Sequence, residues 1–232
     1  MVSALLRRFS GASEFSASFD EEIRLRILRG IFANFYGPHW RGVVFDTNRL
    51  WCAKIPLLSQ LFPDCKVIAL VRPTVEVFES LERTLQRQPS MPSLLVGYEP
   101  NFSVYERCDW FMKGSLSLVG GALNALKDGF LGPCSKNLMI VSYGRLVQDT
   151  QKTLDAIYYF LEEPSFKHNF SSVGFKSSDY DARLGLFGLH EMRQVVSQIT
   201  YPPAIPSDLR QKFSELPFWK AQNYQGQAMR LI

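Results

Sequence analysis

The chain has 232 residues, of which 46% are hydrophobic and 21% charged. That is enough apolar material for a sizeable core and too little charge for a disordered chain; it fits one α/β domain over residues 1–232, or such a domain with a small appendage. A formal net charge of +4 with no run of lysine or arginine permits an anionic ligand and argues against the clustered basic face of a nucleic-acid binder.

The start, MVSALLRRFSG, is too short and too soon charged for a secretory signal, and it reads like the middle of a helix. Asp20 opens a helical pattern in which Ile23, Ile27, Ile31 and Phe35 recur every four residues, with Leu28 beside them, until Gly37-Pro38 ends it. Val43-Val44-Phe45 is expected as a short buried strand, followed by the polar turn Asp46-Thr47-Asn48-Arg49. Leu57, Leu58 and Leu61 predict a short helix after Pro56, and Val67 to Val71 a second strand. Pro73 suits the first helical position, where its missing N–H costs nothing, and Val77, Phe78, Leu81 and Leu85 form the buried stripe of the helix that follows. Gln88 to Asn101, with three prolines and a glycine, reads as a loop. One long helix is expected over Val104 to Lys127, broken off by Gly132-Pro133; Leu138 to Val141 is a third buried strand. Leu146 to Leu161 reads as a helix with Leu154, Ile157, Tyr158 and Leu161 on one side. Regular pattern then fades until Asp208 to Leu216, with Tyr201-Pro202-Pro203 to Pro206 as a rigid extended link.

The four cysteines, Cys52, Cys65, Cys108 and Cys134, form no C-x-x-C pair and lie at no metal-ligand spacing from a histidine, so they read as ordinary thiols of a cytoplasmic protein. The nearest approach to a membrane span, Ser115 to Leu131, is interrupted by Gly120, Gly121, Lys127 and Asp128. His39, His168 and His190 make no metal pattern. No G-x-S-x-G elbow, H-E-x-x-H or dinucleotide fingerprint is present, which lowers hydrolase, zinc-protease and dehydrogenase readings.

Apolar strands that alternate with helices imply a parallel sheet covered on both faces, and such sheets bind ligands at the carboxyl ends of their strands. Here those ends carry Asp46 to Arg49, Arg72 to Thr74 and Ser142 to Arg145. Arg72 offers a planar fork of donors suited to phosphate or carboxylate, beside a helix start that also favours an anion. Ser80 and Arg83 lie further along the same helix and could add donors; Tyr143 could stack on a ring or donate through its hydroxyl. Each has an ordinary alternative that spacing alone favours: an Arg72–carboxylate pair, a small residue at a helix crossing, a core tyrosine. Lys54 fits a solvated helix lysine better than an anion contact, and His190, in GLFGLHEM, fits a surface or capping role as well as an active-site one.

The stretch WCAKIPLLSQLFPDCKVIALVRPTVEVFES resembles the central part of sulfotransferases that use 3′-phosphoadenosine 5′-phosphosulfate (PAPS). Their pattern is a helix, L-F-P-x-x-K, an apolar strand, an arginine and a serine eight residues on. LMIVSYGRLVQDTQKTLDAIYYFLEEPSFKHNFSSV resembles the family's strand, tyrosine, turn, L-V, helix and F-L-G-x-P segment. The resemblance runs from about Phe15 to Trp219 and is closest to bacterial and tyrosylprotein-type members. It implies a three-layer sandwich with a parallel central sheet, of the P-loop-NTPase-like sulfotransferase fold. It implies that Arg72 and Ser80 bind the nucleotide 3′-phosphate, that Tyr143 lies near the adenine, and that Asp46 stands beside the transferred sulfuryl group. DARLGLFGLH resembles the loop that closes over the cofactor and brings Arg183 and His190 into consideration. Asp46 and His190 are the candidate catalytic bases, ahead of Glu14; Arg83 and Arg183 join the candidate cofactor contacts.

Three departures stand out. Tyr143-Gly144-Arg145 replaces the family's tyrosine-glutamate-aspartate, and Pro73 replaces a common aspartate after the arginine. The glycine-rich loop P-x-S-G-T-T, which cradles the 5′-phosphosulfate with backbone N–H groups, has no match; Gly132-Pro133-Cys134-Ser135-Lys136 precedes a strand rather than following one. The resemblance therefore places the family's first strand and loop upstream of Met1, in an N-terminally truncated chain. Two expectations follow: a sulfotransferase passing a sulfuryl group from PAPS, without a metal, to a hydroxyl or amine of a small molecule, glycan, lipid or peptide, or an inactive relative that holds only the adenosine 3′-phosphate end or a protein partner. A P-loop kinase or NTPase ranks last, because its lysine-bearing glycine loop is also missing. No membrane span and no nucleic-acid partner are expected, and a homodimer is compatible with the reading. Tyr98, Phe102, Tyr105, Trp110 and Phe111 could wall an acceptor site, though ordinary packing suits most of them better.

Overall fold

The structure, a computed structural model, describes residues 20–37, 42–87, 89, 102–114, 117–175, 178–185, 188–192, 194–215, 217–220 and 228–231. Its contacts divide the chain into two compact units, one of residues up to Asn48 with Pro56–Cys65, the other of Arg49–Ile55 with Lys66–Ile232.

In the first unit, α1 runs over Glu21–Tyr36. The Asp20 carboxylate accepts the Ile23 N–H at 2.7 Å and so satisfies one of the free donors of the first turn. Gly37 ends the helix at φ 87°, a conformation open to glycine at little cost. The buried residues of α1 are Leu28 and Phe32. The expected stripe of Ile23, Ile27 and Ile31 is only half-buried and Phe35 is 65% exposed, so the inward face lies one position further along the chain. Phe32 meets Phe62 edge-on at 5.3 Å. Arg29 donates to the carbonyls of Leu61 (3.1 Å) and Gln60 (2.8 Å), closing the end of α2 (Ile55–Leu61) with a cation. Val43-Val44-Phe45, expected as a strand, is not one. The segment is exposed, with Phe45 at 70%. A β-branched run favours extended backbone, but a strand needs a neighbour to pair with, and among the described residues no ladder takes this one.

In the second unit a three-stranded sheet is ordered β1 (Val67–Val71), β2 (Leu138–Ser142), β3 (Met229–Leu231), parallel throughout. The molecule is thus mixed α/β with a small parallel sheet. Two of its strands are the expected ones, and the third comes from residues that carry no strand signal. Leu138, Met139, Ile140 and Val141 are fully buried, as an apolar run in a central strand should be.

The crossover from β1 to β2 carries α3 (Thr74–Gln86), α4 (Val104–Met112) and α5 (Gly120–Leu131). Phe78 of α3 is the centre of a core with Phe111, Val119, Ile205, Leu209 and Phe213, and Val77, Leu81 and Leu85 pack on it as the stripe predicts. Its ring stacks on Phe213 at 4.2 Å. The single helix expected over Val104 to Lys127 is instead two. Gly114 at φ 92° lets the chain turn, and the Val119 N–H returns to the Phe111 carbonyl at 2.9 Å. Gly120 makes the return tight: a Cβ there would lie 2.1 Å from the Met112 carbonyl oxygen.

After β2, the helix expected over Leu146 to Leu161 begins at Tyr143 and breaks at Asp149 (φ −138°) into α6 (Tyr143–Gln148) and α7 (Thr150–Leu161). Ile157 and Leu161 pack with Phe160 on Met139 and Val141. Two short helices follow, α8 (Ser178–Leu184) and α9 (Ser207–Lys212). The loop expected over 88–101 lies, apart from Pro89, outside the described residues, as do Glu14, His39 and Tyr98. No helix among the described residues is long and apolar enough to cross a membrane.

Candidate functional site

Parallel pairing sets Val71 opposite Ser142. Arg72 and Tyr143 are the next residue on each strand, so both leave the sheet at its carboxyl edge. They meet there: the Arg72 guanidinium carbon stands 5.0 Å from the centre of the Tyr143 ring, a cation over an aromatic face. Tyr143 opens α6 and is 39% exposed. Pro73, the cap residue rather than the first helical one, places Thr74 at the start of α3.

Arg72 also donates from Nε to Glu76 at 2.7 Å, one helical turn on. The pair is part exposed, 32% and 48%, so its attraction is screened. With Nε bound, the two terminal guanidinium nitrogens remain as a fork of donors toward the strand ends. The geometry is a cation flanked by a planar ring on one side and a carboxylate on another, able to receive an anion attached to an aromatic ring.

The other residues singled out in the sequence are placed as follows. Ser80 is half-buried two turns into α3, where its carbonyl accepts the Thr84 hydroxyl at 2.9 Å. Arg83 turns to the proline segment, with its guanidinium 4.4 Å from the Tyr201 ring centre, a bond to the Pro202 carbonyl at 3.2 Å and Glu79 at 3.7 Å. Arg183 is exposed in the last turn of α8. Lys54 is half-buried in a short 3₁₀ turn, Trp51–Lys54.

Asp46, in the first unit, is exposed and accepts the Tyr36 hydroxyl. Burial, this hydrogen bond and the Asp46 charge push the Tyr36 phenol up to about 12. His190 is held by Asp181. The two carboxylate oxygens take the His190 backbone N–H at 3.0 Å and its ring Nδ1 at 2.6 Å. Asp181 is 1% exposed. Burial raises its pKa, but the hydrogen bonds from the His190 backbone and ring, the imidazole's charge and the Gly188 N–H outweigh it and leave the carboxyl below its usual range.

Two partners escaped the reading of the sequence. Glu76 had a usable signal, its spacing of four from Arg72 on one helix. Asp181 had none, since nine residues of irregular chain separate it from His190. The aromatic candidates divide: Phe111 belongs to the core, Phe102 packs 6.1 Å from Trp110, and Tyr105 donates to Asp208 at 3.1 Å. All four cysteines are free thiols, and burial pushes Cys52 and Cys108 up to about 11, with the Glu82 charge adding at Cys108. Among the described residues no group of three or more His, Cys, Asp or Glu could hold a metal ion. A scan of family models finds no match for the chain, and searches of the curated proteins and of the solved structures find none either.

Proposed function

We propose that the carboxyl edge of β1 and β2 binds an adenosine 3′-phosphate, and that the chain is a sulfotransferase of the PAPS-dependent type. One observation carries the reading: Arg72 and Tyr143, two residues singled out on separate segments, stand 5.0 Å apart where paired parallel strands end. A phosphate would take the free fork of Arg72, with Ser80 further along α3 as a second donor, and the adenine would lie toward the Tyr143 ring. The sulfotransferase resemblance assigns these roles to these positions, and on that reading the small parallel sheet is part of a three-layer, P-loop-NTPase-like fold. The donor would pass its sulfuryl group in line to a hydroxyl or amine, a reaction in which positioning and positive donors dominate.

Calorimetry with adenosine 3′,5′-bisphosphate tests the pocket. Measurable binding is expected, weakened by about 1.5–3 kcal/mol in Arg72→Ala, the scale of a hydrogen bond to a charged group. Equal affinity in wild type and variant would remove Arg72 from the site. A second reading, nucleotide binding without transfer, is favoured by one fact: within the 232 residues no P-x-S-G-T-T-type loop follows a strand. Labelled PAPS offered with a panel of phenols, sugars, lipids and peptides separates the two, since labelled product appears only under the first.

A further inference from the structure

We propose that Asp181 and His190 form a carboxylate–imidazole dyad whose exposed Nε2 accepts the proton of the hydroxyl or amine that receives the sulfuryl group, His190 being catalytic and Asp181 a positioning residue. The proposal rests on the sulfotransferase reading above.

The dyad is built by a closed stretch of chain. Asp181 sits in α8, and the chain reverses to His190 through Gly185 (φ 68°) and Gly188 (φ 78°), conformations that side chains other than glycine rarely adopt. Just beyond His190, Met192 is pinned to Phe175 by an antiparallel bridge with a 2.8 Å hydrogen bond, and Gln194 to Val173 at 2.9 Å. The Tyr180 ring rests 5.1 Å from the imidazole. The histidine is therefore fixed by its backbone, by its ring nitrogen and by an aromatic neighbour.

The burial of the two side chains is unequal: the carboxylate is 2% exposed and the imidazole 45%. An ionised carboxylate only accepts, so in the neutral imidazole Nδ1 carries the proton and Nε2 carries the lone pair. A carboxylate present only to hold the loop would need the backbone N–H groups alone. Here one oxygen takes the His190 N–H and the other is aimed at the ring. Orientation by a third group is what distinguishes a proton acceptor from a surface histidine.

In the step itself the acceptor's O–H proton passes to Nε2 while its oxygen bonds to sulfur. The bond from sulfur to the 5′-phosphate oxygen breaks, and adenosine 3′,5′-bisphosphate leaves with the electron pair. The imidazolium keeps its Nδ1–H on Asp181 and later gives the Nε2 proton to water.

The tautomer is read directly by ¹⁵N NMR of the full chain, which has three histidines. The Nδ1–H form is expected at His190, and the Nε2–H form would overturn the dyad. In Asp181→Asn the amide oxygen keeps the backbone N–H and the NH₂ group faces Nδ1, so the tautomer should switch; an unchanged spectrum would overturn the role of Asp181. His190→Gln should bind adenosine 3′,5′-bisphosphate within about twofold of wild type and transfer label from PAPS about 100-fold more slowly, the scale of a lost general base. Transfer at the wild-type rate would sink the proposal, as would a wild type that binds the bisphosphate and transfers to no acceptor of the panel. A wild type that does not bind the bisphosphate fails the site reading instead, and the transfer role falls with it, while the tautomer still reports whether the dyad exists.

Discussion

At Arg72 two partners with opposite consequences meet one guanidinium. The Tyr143 face orients it without neutralising it, whereas Glu76 puts a negative charge beside the place an incoming phosphate would occupy. An exposed ion pair contributes little to stability, so removing Glu76 should cost the fold almost nothing. Glu76→Gln should instead tighten adenosine 3′,5′-bisphosphate by about 2–5-fold, roughly 0.4–1 kcal/mol, because a like charge leaves the site. A weaker complex in that variant would mean that Glu76 holds Arg72 in place and that its charge matters less. The cysteines behave differently. Buried, with pKa values raised to about 11, Cys52 and Cys108 stay protonated and serve as small apolar groups.

Among the elements, α3 does two jobs. Its first turn presents Arg72 and Glu76 to the sheet edge, and its inner face anchors the largest core of the second unit. Phe78, 1% exposed and stacked on Phe213, is the centre of that core. Phe78→Ala should lower the unfolding free energy by about 3–5 kcal/mol in a urea titration, the usual range for a buried phenylalanine; a loss below about 1 kcal/mol would mean that the neighbours close the cavity. Close approach governs the other side of the crossover. Gly129 of α5 faces the Trp51–Lys54 turn so tightly that a Cβ would come 2.7 Å from the Cys52 carbonyl oxygen. Gly129→Ala should therefore destabilise the protein by about 1–3 kcal/mol despite the better helix propensity of alanine, and a neutral or stabilising result would show that the turn can give way.

For the whole molecule, β3 matters more than its three residues indicate. It lies along β2, the buried centre of the sheet, and without it β2 becomes an edge with open hydrogen-bonding groups. Deleting residues 221–232 should lower the melting temperature and promote self-association in sedimentation; an unchanged melt would show that the strand adds nothing. The two units have their own packing, α1 with the end of α2 in one and the sheet with its helices in the other. β1, β2, α1 and α3 were legible in the sequence because each carries its own signal: a β-branched apolar run, a capping aspartate, a stripe at helical spacing. Arg72 and Tyr143 were legible as candidates because each directly follows such a run. The sequence alone thus determined the alternation of helix and strand and the polar residues at the strand ends, since both are local properties of the chain. Only the tertiary structure decided that Val43 to Phe45 stays outside the sheet while Met229 to Leu231 enters it, that Arg72 meets Tyr143, and that Asp181 holds His190, because ladder pairing and side-chain contact depend on which distant segments become neighbours.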